Sequence, residues 1–96
     1  SGVDTATELN LATAYEGIND YSNAEKVLED LMQKYPGDYR PYMRMAYLCI
    51  ENKNLADVLK WYQKAEEAYK TAQTNGAVDA NMETLKNYVK QIGTSQ

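Results

Sequence analysis

The chain has 96 residues, enough for one small domain with a thin core, and its 44% hydrophobic and 25% charged shares exclude disorder. No apolar run approaches the roughly 18 residues a membrane span needs, and a net charge of −4 argues against a nucleic-acid footprint. One cysteine and no histidine exclude an internal disulfide and leave zinc without imidazole ligands, so we expect no metal, no cofactor and a reducing, cytoplasmic setting.

The opening SGVDT shows no basic stretch followed by an apolar one, and residues 1–4 read as a tag or linker remnant of a longer chain. A first helix is predicted from Thr5, which has capping-box spacing to Glu8; a second starts at Ser22, with the same spacing to Glu25. Pro36 and Gly37 stop the second helix. Asp38 is placed to cap a third, with Pro41 tolerated in its first turn.

On the third helix Tyr42, Met45, Ala46 and Cys49 recur at one-face spacing and are expected inside. Arg40, Met43, Arg44, Tyr47 and Glu51 form a stripe of their own. Cys49 has no histidine to activate it, so at that inward position it reads as a small hydrophobe. Asn54 can cap a fourth helix, Leu55 to Gln73, with two apolar seams. Leu55, Leu59, Tyr62 and Tyr69 are expected to face the third helix; Val58, Trp61, Ala65 and Ala68 are expected to face a fifth. TNGA at 74–77 is the predicted turn, Asp79 the next cap, and Met82, Leu85, Val89 and Ile92 the stripe of the last helix, stopped by Gly93. The pairs Asp30 with Lys34 and Glu66 with Lys70 suit exposed ion pairs. Neighbouring carboxylates such as Glu66 and Glu67 diverge by about 100° around a helix, so they form no general acid–base pair.

The chain repeats at an offset of 34 positions: Leu9 falls on Met43, Leu11 on Met45, Ala12 on Ala46, Tyr15 on Cys49, Leu28 on Tyr62 and Leu31 on Ala65. LATAY at 11–15 with Ala24, Leu28, Leu31 and Pro36 resembles the tetratricopeptide signature. The second copy departs from it at Cys49, Val58 and Lys70. The resemblance covers roughly residues 5–70 and implies an all-α, right-handed superhelical array of five helices. Repeat 1 would span 5–36 and repeat 2 would span 38–73 with an extended second helix. A capping helix would follow at 78–93, then a tail at 94–96.

In arrays of this kind the first helix of each repeat lines a concave groove. The resemblance therefore assigns peptide-binding positions to Leu9, Asn10 and Thr13 on one repeat and to Arg40, Met43, Arg44, Tyr47 and Glu51 on the next. Lys and Asn are absent from the first repeat where the familiar carboxylate clamp needs them, so recognition of chaperone tails does not carry over. The two arginines either hold an acidic or phosphorylated segment or are solvated and paired with Glu51 and nearby carboxylates. The run KYPGDYRPYMRMAYLCIE is also similar to helical-repeat regions of multidomain proteins of Gram-positive gut bacteria, some joined to a serine/threonine kinase or a forkhead-associated domain. The expected function is a non-catalytic interaction module for a protein or peptide partner, or for another domain of the same chain. The alternative is a spacer or homo-oligomerisation unit.

Overall fold

The computed structural model describes residues 5–72 and 78–95. Among the described residues there are five helices and no strand: α1 Thr5–Gly17, α2 Tyr21–Lys34, α3 Tyr39–Glu51, α4 Leu55–Ala72 and α5 Ala80–Ser95. The expected remnant at 1–4 and the turn at 74–77 lie outside the described residues. Each helix packs on the next, and α3 also touches α1 and α5, which makes it the central element.

The repeat is visible in backbone geometry. α1 and α3 both end with a residue in the left-handed region, Asn19 at φ 61° and Lys53 at φ 59°. After α1, Asp20 N–H donates to the Tyr15 carbonyl at 2.8 Å and Asn19 N–H to the Glu16 carbonyl at 2.9 Å. After α3 the same pair recurs, Asn54 to Cys49 at 2.8 Å and Lys53 to Ile50 at 3.1 Å. Both are Schellman closures, which satisfy the last carbonyls of a helix and reverse the chain. Each ends one helix and sets the start of its partner at the same offset.

Local signals were partly misplaced. The cap of α2 is Asp20, whose carboxylate accepts from Asn23 N–H at 3.3 Å, and Ser22 lies inside the helix. The reason is the preceding turn: Asn19 closes α1 so tightly that Asp20 is already at the cap position. Thr5 is itself helical and so does not cap α1 as its spacing to Glu8 suggests. Asp38 caps α3 as expected, accepting from Arg40 N–H at 3.0 Å. Gly93 does not stop α5, which runs to Ser95 because Gly93 keeps a negative, helical φ. Asp30 and Lys34 pair at 3.0 Å, and Glu66 and Lys70 approach at 3.9 Å, both on exposed faces.

Two apolar clusters share α3. Leu9, Ala12, Ala24, Leu28 and Leu31 enclose Met45 and Leu48 on one side. Met43 and Ala46 meet Tyr62, Ala65, Met82 and Leu85 on the other. Trp61 packs against both clusters and stacks on Tyr42 with ring centroids 6.4 Å apart. It therefore serves α3 as much as the last helix. Leu55 and Leu59, expected to face α3, stand exposed at 44% and 37%. The buried face of α4 is centred on Val58, Tyr62 and Ala65, and Leu59 lies about 100° from Val58 around the helix.

Candidate peptide-binding groove

α3 contacts α1, α2, α4 and α5, and in the strip along it Arg40, Arg44 and Tyr47 remain half-buried and Glu51 exposed. The Arg44 guanidinium crosses to α1 and donates from Nη2 to Thr13 Oγ1 at 2.6 Å. Thr13 in turn donates to the Leu9 carbonyl at 3.0 Å, which fixes its hydroxyl as an acceptor for Arg44. Residues 31 positions apart are thus joined at the surface, which brings Thr13 of the predicted α1 face to Arg44 of the predicted α3 face.

Arg40 is committed locally. Its Nε and Nη2 donate to the two Asp38 oxygens at 3.0 and 2.8 Å, a bidentate pair with the carboxylate that caps its own helix. Burial would raise Asp38, but the hydrogen bonds from the Arg40 side chain and backbone hold its carboxyl below the ordinary value. Tyr47 donates to the Asn81 carbonyl at 2.6 Å, so the far edge of the strip is tied to α5. Its hydroxyl is pushed up by burial and by the nearby Asp79, against the opposing charge of Arg44.

The remaining predicted positions divide. Asn10 and Glu51 are exposed and available to a ligand. Leu9 and Met43 are only 8% and 5% exposed, because Leu9 enters the α1–α2 core and α5 covers Met43. They support the strip from beneath.

Sequence reasoning missed Glu16, which lies on the inward face of α1 one turn beyond Ala12 and is 9% exposed. Its Oε1 is buried and accepts no hydrogen bond among the described residues. Burial, then repulsion from Glu51, raise its carboxyl from 4.5 to about 7, with Arg44 opposing. The signal was available: Leu9, Ala12 and Glu16 have the spacing of a single helix face, and a charge there is conspicuous. Tyr39, Tyr69 and Asp79, which join α3 and α4 to the start of α5, were also not assigned this role.

Two surface depressions among the described residues, of about 370 and 200 Å³, lie elsewhere. One sits by Pro36, Tyr42 and Lys64 and the other between Tyr62 and Lys86. Neither includes a residue of the strip. Cys49 is buried, with its thiol pushed up to about 11 by burial first and the charges of Asp57 and Glu25 next, so it offers no nucleophile.

A family model described as tetratricopeptide repeat matches residues 16–86, well over half of the chain. The chain belongs to the tetratricopeptide repeat family. Repeats of this family are in general protein–protein interaction modules. No solved structure matches the chain. No helix among the described residues is long and apolar enough to cross a membrane.

Proposed function

We propose that this tetratricopeptide repeat domain is a non-catalytic module that binds a peptide segment along the strip where α1 and α3 meet. The observation that carries this reading is Arg44, a half-buried residue whose guanidinium is oriented at the surface by Thr13 from the neighbouring repeat. A cation held in place by both repeats loses little freedom on binding a carboxylate or phosphate, and its planar fork suits either group. Arg40 adds only what its pairing with Asp38 leaves. Asn10, Tyr47 and Glu51 supply the polar rim, over a floor built on Leu9 and Met43. The segment comes from a partner protein or another domain of a parent chain, and the bacterial signalling or scaffold context implied by the sequence resemblance belongs to the same cytoplasmic reading.

Affinity capture with the domain as bait, beside an Arg40→Glu/Arg44→Glu variant shown by circular dichroism to remain helical, tests this. Loss of a captured partner in the variant supports the groove; identical capture by both removes the arginines from the function. A second reading, self-association, draws on the exposed Leu55 and Leu59 of α4. Sedimentation at increasing concentration decides it, since a persistent monomer leaves those leucines as ordinary surface.

A further inference from the structure

Resting on the groove reading above, we propose that the Glu16–Glu51 end of the strip receives a basic side chain of the bound segment, a lysine ammonium or an arginine guanidinium. The recognised segment would then carry an acidic residue at one position and a basic residue a few positions away.

The argument starts from the unequal commitments of the charges on this face. Both arginines already have acceptors: Arg40 grips Asp38, and Arg44 donates to Thr13. The carboxylates are less well served. Glu16 is nine-tenths buried, and its Oε1 has no donor among the described residues. Glu51 is exposed and makes no ion pair among the described residues, yet it is close enough to Glu16 for their repulsion to be felt. Two carboxylates on facing helices, one of them short of a hydrogen-bond donor, match a group that carries several donors and a positive charge. A buried carboxylate left without a partner is costly, and a ligand cation seated on the exposed Glu51 offsets the charge that Glu16 carries beneath it.

Spacing fixes the pattern expected of the ligand. Arg44 and Glu51 are seven positions apart on α3, about 10 Å along the helix axis. A segment in the polyproline II conformation advances about 3.1 Å per residue with three residues per turn, so the third residue on covers that distance and returns to the same face. An Asp or Glu over Arg44 therefore places the third residue beyond it over the carboxylate pair, and the charges of strip and segment are complementary at both ends.

The test is a selection of random peptides on the 96-residue chain, on its Glu16→Gln/Glu51→Gln variant and on Arg44→Glu, each checked for helicity. Peptides recovered on the wild type are expected to pair an acidic residue with Lys or Arg about three positions away. Replacing that basic residue by Ala in the best peptide should weaken binding about fivefold or more on the wild type and leave affinity for the Gln variant unchanged, as a double-mutant cycle requires. Wild-type peptides that share an acidic residue without a basic one overturn this inference and leave the groove reading intact. Peptides that bind Arg44→Glu as well as the wild type, or the recovery of no peptide at all, overturn both.

Discussion

The Tyr39 hydroxyl donates to Oδ2 of Asp79, forty positions further along the chain, and so holds the start of α5 against the start of α3. The same aspartate uses its other oxygen to cap Asn81 N–H at 2.9 Å, while its own N–H donates to the Tyr69 hydroxyl at 2.7 Å. Tyr39 and Tyr69 meet edge to face with centroids 4.8 Å apart. One acidic residue thus joins the last helix to both helices of the second repeat. Tyr39, Tyr47 and Tyr69 thus show what a tyrosine offers that a phenylalanine does not: the ring bodies pack while the hydroxyls reach polar groups at the start of α5.

Tyr39→Phe should therefore loosen α5 before it affects the rest. The lost bond is to a carboxylate, so a cost of about 1.5–3 kcal/mol is expected in urea unfolding. Hydrogen exchange should localise the loss, with amides of α5 deprotected and those around Leu28 unchanged. Equal deprotection everywhere would show that α5 has no separate docking step.

Lys53→Gly should stabilise the domain. Lys53 closes α3 at φ 59°, where a side chain is strained and glycine is not, while its partner position Asn19 holds a residue that tolerates this region better. A gain of about 0.5–1 kcal/mol is expected for Lys53→Gly, with less for Asn19→Gly. The midpoint of chemical unfolding measures both.

Much of this was legible in the sequence because repetition and periodicity are backbone properties. Leu28 and Leu31, or Met45 and Ala46, declare a buried face whatever lies opposite, and Asp38 beside Pro41 declares a helix start. The misreadings arose where a neighbour decided the outcome. Met43 shares a surface stripe with Arg40 and Arg44 by spacing, but α5 arrives to cover it. Ser22 has the right spacing for a cap, but the Schellman turn at Asn19 leaves Asp20 to do that work. Arg40 looks available for a ligand until the cap of its own helix is seen to hold it. Glu16 was missed for a related reason: its environment is made by Glu51 and Arg44 on another helix, which no reading of α1 alone contains.

Cys49 should be almost inert in the folded protein. It is 4% exposed with a thiol raised to about 11, so near pH 8 only about one molecule in a thousand presents a thiolate, against roughly a quarter for an unperturbed thiol. Reaction with a disulfide reagent should be about 100-fold slower or more in buffer than in strong denaturant. Comparable rates in the two conditions would mean that the inward face of α3 opens readily.

Glu16 should make stability fall as pH rises through neutrality. Its carboxyl titrates near 7 in the folded protein against 4.5 ordinarily, so the folded state holds the proton more tightly than the unfolded one. The stabilisation is complete below about 4.5, where both states are protonated, and is lost as pH climbs through 7, where the folded state must ionise a buried group beside Glu51. The shift corresponds to a change on the order of 3 kcal/mol across that window. Glu16→Gln keeps the shape and removes the titration. The measurement is the difference in unfolding free energy between wild type and variant at a series of pH values, which cancels contributions from the other carboxylates. Wild type should gain on the variant as pH is lowered from about 7.5 to 4.5. A difference that stays constant over this range would place Glu16 in a solvated setting and remove the buried-acceptor argument for a basic ligand with it.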